Sequence, residues 1–234
     1  MRNFWTYITN GEYSVGCTGQ TVYLFDKNNI ELAKFRDLKY AYNAVFSPKG
    51  DVFVVRSNEG KLAVYSLEEH KLMSKFRYAN GKDGKQPQDQ SGCFSPDGER
   101  FYLIVYRDDL CSSLLIYRTS DFSLENRLFD GSNVFLDFIE YDIETERYYL
   151  LGFIRNTPHG DNAYFVGRLA QDSLSDIEYI TENEYEFYHE YKEFEASGFT
   201  SKSALMLPYD INKFKECKHT LAKLWLYYHN KNNQ

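Results

Sequence analysis

The sequence predicts an all-β protein built from repeated four-stranded antiparallel sheets, and three observations support this. Residues 45–50 and 93–98 share the pattern Phe-Ser-Pro-x-Gly after one small or apolar residue. A short apolar strand followed by polar residues occurs five times at nearly regular steps. Aromatic residues make up 18% of the chain and prolines number only 5, a composition that favours strands around a packed core.

Each Ser-Pro-x-Gly pattern has the composition of a type I turn between two strands. Proline presets φ at the second position of such a turn, and Gly50 or Gly98 relieves the fourth position. We therefore expect chain reversals at 47–50 and 95–98. A reversal that returns at a fixed spacing indicates a repeat architecture.

The recurring apolar strand sets the length of the repeat. Its centres are Leu24, Val64, Ile116, Val166 and Leu226, which are 40, 52, 50 and 60 residues apart. These steps match one four-stranded unit with its loops. The predicted units cover residues 1–38, 39–80, 89–132, 133–181 and 182–234.

The units differ in how clearly they show the pattern. The second unit is the clearest, with predicted strands at 41–46, 51–56, 61–66 and 71–76. In the first unit we expect reversals at 11–12 and 19–20 and a last strand at 31–35. The third unit spans 91–129 with a longer loop at 107–109, and residues 78–90 form an exposed linker before it. In the fourth unit a turn without proline at 141–146 precedes a strand at 147–153.

The fifth unit is the most degenerate. We expect its second strand at 203–207 and its third at 223–228, and no residues are left for a fourth. Between them Ile211, Phe214, Cys217 and Leu221 lie at helical spacing, which predicts a short helix over 211–221.

The repeat resembles the bacterial WD-repeat and YVTN-type β-propellers, whose units carry Phe-Ser-Pro-Asp-Gly between their first two strands. The resemblance covers most of residues 1–181. It implies one propeller domain, 1–234, of about five four-stranded blades with a degenerate last blade. No unit has the terminal Trp-Asp pair, so the structural Asp-His network of eukaryotic WD repeats is not carried over. Propellers of this kind serve many functions, mostly binding.

Charge and cysteine content narrow the range of partners. The net charge is −7, and it divides into +2 for residues 1–100 and −9 for residues 101–234, which argues against nucleic acid or an anionic membrane as the partner. Cys17, Cys93, Cys111 and Cys217 are far apart and have no histidines at zinc spacing, so we expect no disulfide, metal or other cofactor. No apolar run has the length of a signal peptide or a membrane span, which predicts a soluble cytoplasmic protein.

Three short motifs could carry chemistry, but each has a simpler interpretation. His159 and Asp161 could hold a metal or act as a base, yet 156–161 has the composition of a Pro-Gly loop. Ser112, Ser113 and Cys111 lack the surroundings of a nucleophile and fit the start of a strand. Residues 81–85 lack the ending of a phosphate-binding loop and fit a solvated linker.

An acidic and aromatic segment at 172–195 departs from the repeat. It carries nine carboxylates against Lys192 alone, interleaved with six aromatic residues. One interpretation is a surface that binds a basic protein. The simpler interpretation is an edge strand with its acids facing water and its aromatics facing the core. The binding interpretation assigns these residues to the partner: Tyr185, Glu186, Tyr188, His189, Glu190, Tyr191 and Glu193.

Three functional hypotheses follow. The first is a non-catalytic module that binds another protein. The second is an intracellular inhibitor, such as a bacterial immunity protein, that neutralises a basic toxin or nuclease. The third is a propeller hydrolase or lactonase with a channel metal, which would need carboxylate, amide or histidine ligands from several blades.

Overall fold

A computed structural model describes residues 3–79, 92–107, 111–155, 161–200, 214–215 and 217–233. These residues form four sheets and two helices. The first sheet contains β1 (Thr6–Thr9), β2 (Tyr13–Cys17), β3 (Val22–Asp26) and β4 (Glu31–Phe35), and the second contains β5 (Ala41–Phe46), β6 (Val52–Ser57), β7 (Lys61–Ser66) and β8 (Leu72–Arg77). The third contains β9 (Gly92–Phe94), β10 (Arg100–Arg107), β11 (Cys111–Arg118) and β12 (Ser123–Leu128), and the fourth contains β13 (Val134–Asp142), β14 (Arg147–Arg155), β15 (Asn162–Ala170) and β16 (Ser173–Tyr179). The helices are α1 (Glu182–Ala196) and α2 (Leu221–Asn232).

Every sheet is an antiparallel meander in which consecutive strands are neighbours. The four predicted units between residues 1 and 181 are therefore confirmed as four-stranded sheets, and the structure has a sheet-rich, propeller-like fold. The strand bounds predicted for β4 to β8 and for β14 agree with the observed ones within about two residues, and those of β4, β5 and β7 are identical.

Both Ser-Pro-x-Gly patterns form the predicted turns. The amide of Gly50 donates to the carbonyl of Ser47 at 3.0 Å, and that of Gly98 donates to Ser95 at 2.8 Å. The two glycines have φ of 71° and 68°, a region that residues with a Cβ rarely adopt. The glycine at the fourth position is thus required by the backbone.

The fifth predicted unit is wrong. Residues 182–196 and 221–232 are helical, so the described part of the chain contains four blades rather than five. The apolar run at 223–228 has the composition of a strand, but Leu221, Leu224 and Tyr228 lie three and four residues apart and are all buried, which is helical spacing.

The remaining predictions for this region have mixed outcomes. Residues 214–215 form a short 3-10 turn, residues 217–220 are not helical and Leu221 is the first residue of α2, so the described part of 211–221 does not form the predicted continuous helix. Residues 211–213 and 216, the strand predicted at 203–207 and the loop at 108–109 lie outside the described residues. In the predicted linker, Tyr78 and Ala79 are buried, and both amides donate to Gly60; the rest of that linker is outside the described part.

The chain divides into two compact units. The first contains residues 1–90 and 192–211, and the second contains residues 91–191 and 212–234. Each therefore holds two consecutive sheets and part of the C-terminal region. That the whole chain behaves as one domain stays a prediction. Neither described helix is long and apolar enough to cross a membrane.

In the first unit, one apolar core is shared by the first and second sheets, from Val15 to Leu67. A bridge between Gly19 and Ala41 joins the two sheets. A late segment also contacts β1: the amide of Tyr7 donates to Ser197 at 2.8 Å, and the hydroxyl of Thr200 donates to the carbonyl of Trp5 at 2.8 Å. Strand β1 is thus held by residues almost 200 positions later in the chain.

In the second unit, the third and fourth sheets share a core that includes Ile104, Ile116, Leu136 and Phe165. Strand β13 has a bulge between Leu136 and Phe138, so Asp137 has no partner in the ladder with β14. A bulge redirects the side chain of the extra residue.

Candidate functional site

The bulge of β13 places a carboxylate inside the second unit. Asp137 is only 2% exposed. The hydroxyl of Tyr106 donates to its Oδ1 at 2.5 Å, and the hydroxyl of Tyr185 donates to its Oδ2. His189 Nε2 lies 3.6 Å from Oδ1. A buried carboxylate is tolerated only where such donors replace water.

The Asp137 cluster anchors α1. Tyr185 and His189 are one helical turn apart on this helix, so both reach the same carboxylate. The ring of Tyr185 also lies 4.6 Å from that of Tyr164 in β15. Both oxygens of Asp137 accept hydrogen bonds from phenols, and one of these phenols belongs to α1, so the carboxylate links the helix to β13.

Helix α1 buries some of the residues that the sequence assigned to a partner and leaves others at its surface. Tyr185, Tyr188 and Tyr191 are buried, so they are part of the interior. Glu186 is exposed, while His189, Glu190 and Glu193 are half-buried. The edge-strand interpretation of 182–195 is wrong, because this stretch is helical; only 173–179 forms an edge strand, β16. Whether the exposed residues bind a partner stays a prediction.

Helix α2 is fixed by a stack of three side chains. The guanidinium carbon of Arg168 lies 3.5 Å from the centre of the Trp225 ring. On Trp225 the ring of His229 stacks with a centroid distance of 4.5 Å and an interplanar angle of 15°. The indole N–H donates to the carbonyl of Asp176 at 2.5 Å. Arg168 and Asp176 belong to β15 and β16, so the stack secures α2 to the fourth sheet.

Polar contacts continue this attachment. Glu178 of β16 lies 2.7 Å from His229 Nδ1 and accepts a hydrogen bond from the Asn232 amide at 2.8 Å. At the start of α2, Thr220 is the N-cap and accepts a hydrogen bond from the amide of Lys223. The helix is thus held at both ends.

The two helices also contact each other within the second unit. The hydroxyl of Tyr188 accepts a hydrogen bond from the amide of Lys218 at 2.7 Å. Burial raises the pKa of Tyr228 to about 12, and the neighbouring carboxylate of Glu184, to which the phenol donates, acts in the same direction. These contacts join residues 182–191 of α1 to α2 and to the segment just before it.

The outer face of α2 is the most apolar exposed part of this region. Leu226 is 51% exposed and Tyr227 is 46% exposed, while Leu224 and Trp225 beside them are buried. Lys223 and Asn230 complete this face at helical spacing and are exposed. The ammonium of Lys218 lies 4.2 Å from the centre of the Tyr227 ring. Lys218 is half-buried and precedes the helix, so we call Lys223, Leu226, Tyr227 and Asn230 the α2 outer face.

The other candidates that the sequence suggested do not converge on a site. Ser112 and Ser113 are fully buried in β11, where Ser112 accepts a hydrogen bond from the amide of Leu136 and Ser113 donates to Asp130. Asp161 is exposed, while His159 and residues 81–85 lie outside the described residues. Within the described ranges no group of three or more His, Cys, Asp or Glu could hold a metal ion.

Comparison with known proteins supports the fold. No family model and no curated protein matches the sequence. Among solved structures, hydrazine synthase from Kuenenia stuttgartiensis is similar, with a TM-score of 0.60 and 11% sequence identity. The similar region covers 77% of this chain and 50% of that chain. At this identity the likeness concerns the propeller-like fold alone.

Sequence reasoning missed the α2 outer face and the start of α1. Both helices have recognisable start signals. Residues 181–184 read Thr-Glu-Asn-Glu, a capping box, and the Glu184 amide donates to the Thr181 hydroxyl at 3.2 Å. Thr220 caps α2 in the same way. A search for N-caps in 172–234 would have indicated both helices.

Proposed function

We propose that this chain is a non-catalytic protein-binding module and that the α2 outer face is its contact surface. The observation that carries the proposal is the adjacent exposure of Leu226 and Tyr227 on a helix whose opposite face is firmly packed. Tyrosine provides a large contact area at low cost in side-chain entropy, and exposed apolar pairs rimmed by polar groups are typical of protein contacts.

The anchoring of α2 favours this role. Trp225 contacts both Arg168 and His229, and Thr220 caps the helix. A surface that is already ordered loses little conformational entropy on binding, so more of the contact energy becomes affinity.

The test replaces the apolar pair. A Leu226→Ser, Tyr227→Ser double variant leaves the buried face of α2 unchanged but loses helix propensity and the contact of Tyr227 with Lys218, so it should remain folded at a cost of about 1 kcal/mol. Quantitative capture from an extract of the native host should lose the bound protein. The control is Ile143→Ser, since Ile143 is 82% exposed in the β13–β14 hairpin. Equal capture by the parent and the double variant would contradict the proposal.

A second candidate is the neutralisation of a basic protein through α1. It is favoured by the exposure of Glu182 and Glu186 on the outside of that helix. Glu186→Gln should slow association with a basic partner and flatten its salt dependence, while Glu144→Gln in the β13–β14 hairpin should not. The association rate measured at two salt concentrations distinguishes these outcomes.

A further inference from the structure

The α2 outer face is cationic within an acidic half of the chain. Residues 101–234 carry a formal charge of −9. In contrast, the described residues 217–233 contain Lys218, Lys223 and Lys231 and no carboxylate side chain. The exposed apolar pair is therefore flanked by positive charge alone on its own helix.

The part of α1 in the same unit has the opposite character. Residues 182–191 contain four glutamates and no lysine or arginine. Glu182 and Glu186 are exposed one helical turn apart, and Glu182 also accepts a hydrogen bond from Tyr164 at 2.7 Å. The contacts of Tyr188 with Lys218 and of Tyr228 with Glu184 place this acidic helix next to the cationic one.

We propose that the α2 outer face binds a second copy of this chain, with α2 of each copy lying against α1 of the other. This inference rests on the proposed function, because it names the occupant of the same face. A two-fold pairing makes every contact twice. It brings Lys223 near Glu186 of the opposite copy and covers Leu226 and Tyr227.

Charge favours this occupant over pairing of α2 with α2. Two α2 outer faces in contact would bring lysines of both copies together with no described carboxylate on either helix to compensate. Opposite charges across an interface favour the correct pairing and speed encounter, while like charges oppose it.

The size of the surface predicts weak association. A helix of 12 residues is about 18 Å long, so two such helical faces bury roughly 300–400 Å² per copy, below the ~800 Å² per partner of stable complexes. We expect a weak, reversible dimer that salt weakens further.

Sedimentation velocity of the full chain tests the proposal. The parent should shift from monomer to dimer between about 10 and 500 µM in low salt, and less in about 0.3 M salt. Leu226→Ser, Tyr227→Ser should reduce the association at least about tenfold. A parent that stays monomeric at about 500 µM in low salt overturns the inference, and so does undiminished association of the double variant.

Charge reversal makes the test specific to the pairing. Lys223→Glu and Glu186→Lys should each associate at least about tenfold more weakly, because each creates like charges at both symmetric contacts. In a heterodimer of the two variants both contacts pair opposite charges. One contact has the parent pair of Lys223 and Glu186, and the other has the same two charges with their positions exchanged. Heterodimers should therefore form as readily as parent dimers. Glu144→Lys, in the β13–β14 hairpin, should behave as the parent. Variants that dimerise alone, or a mixture that stays monomeric, overturn the proposed pairing.

These results remain distinct from those of the capture experiment. A monomeric parent that still loses a host protein when Leu226 and Tyr227 are replaced would remove the second copy as occupant and keep the binding function. A dimer broken by charge reversal, with no host protein captured, would support the inference and leave self-association as the binding activity.

Discussion

Tyr42 and Asp137 occupy equivalent positions in the second and fourth sheets. Each is the bulge residue of the first strand in its sheet, and each stands four residues before an aromatic residue that the repeat aligns, Phe46 or Tyr141. Tyr42 packs edge-on against Trp5 with a centroid distance of 5.7 Å. Asp137 instead accepts hydrogen bonds from two phenols.

The comparison shows how one backbone feature serves two purposes. In the first unit the bulge directs an aromatic ring onto a neighbouring ring, and the repeat packs against itself. In the second unit the same bulge directs a carboxylate, and the carboxylate binds a helix that is not part of the repeat. The repeat thus provides the position, and the residue type decides what is attached there.

Replacing the two bulge residues should show the largest difference. Asp137→Ala removes the acceptor shared by Tyr106 and Tyr185, so we expect a loss of about 3–5 kcal/mol in unfolding free energy. The helical circular dichroism signal should fall as α1 detaches. Tyr42→Ala should cost about 1–2 kcal/mol because only part of a half-buried ring is lost. Equal losses in denaturant unfolding would show that Asp137 is not an anchor.

The second-largest difference is expected at alkaline pH, which should lower the stability of the two units to different extents. Burial raises the pKa of the Cys93 thiol in the second unit and that of the Cys17 thiol in the first unit, the latter to about 12, so Cys17 stays neutral in the fold while the unfolded chain ionises near pH 9. Its contribution is complete below pH 9 and is lost as the pH rises towards 12, at up to about 1.4 kcal/mol per pH unit.

Tyrosines add to this effect unequally. Burial raises the pKa of Tyr42 and Tyr65 in the first unit, and of Tyr148, Tyr164, Tyr188 and Tyr228 in the second. Above pH 10 the second unit should therefore lose stability more steeply. Fluorine NMR of protein labelled with fluorotryptophan can follow this, because Trp5 lies in the first unit and Trp225 in the second. Parallel loss of both signals would contradict the expectation.

Replacing each of the two tryptophans should change the free energy of unfolding by a smaller amount. Trp225→Phe removes the indole hydrogen bond to Asp176 and weakens the contact with Arg168, at a cost of about 1–2 kcal/mol. Trp5→Phe keeps an aromatic ring next to Tyr42 and should cost less. Chemical denaturation of both variants checks the order, and a larger loss for Trp5→Phe would reverse it.

The turns should show the smallest differences, because both units use the same turn. Gly50→Val and Gly98→Val should each cost roughly 1 kcal/mol or more through strain at positive φ; a Cβ at Gly50 meets nothing within 4 Å, so strain is its main cost. Lys49→Asp should be nearly neutral or slightly stabilising, because in the other turn Asp97 accepts hydrogen bonds from Ser95 and the Glu99 amide. Melting temperatures check the series, and a large loss for Lys49→Asp would contradict it.

The sheets were predictable because their signals are local. Alternating apolar residues, the proline turns and the spacing between turns predict β5 to β7. Strands β13 to β15 are predicted by the alternation and the spacing alone. The fourth sheet kept its place although its turn lacks proline, since spacing from Phe94 to Tyr141 is preserved.

The helices and the anchor were not predictable from the same signals. Asp137 is one acidic residue in a strand, and its phenol donors come from positions 106 and 185, which no local pattern connects. The run at 223–228 has the apolar content of a strand, and its helical spacing appears only when Leu221 is included. The joint exposure of Leu226 and Tyr227 follows from the helical spacing. Because 223–228 was predicted as a strand, the α2 outer face was not predicted.

The contact of β1 with residues 197–200 has a consequence for protein synthesis. The strands of the first two sheets leave the ribosome before those of the second unit and pair with sequence neighbours, which are fast contacts. Yet the hydrogen bonds from Tyr7 to Ser197 and from Thr200 to Trp5 form only after most of the second unit has been translated. Strand β1 must therefore wait at the edge of a nascent sheet, where it is open to mispairing with other chains. Within this chain, the first sheet is therefore made well before the segment that secures its edge strand.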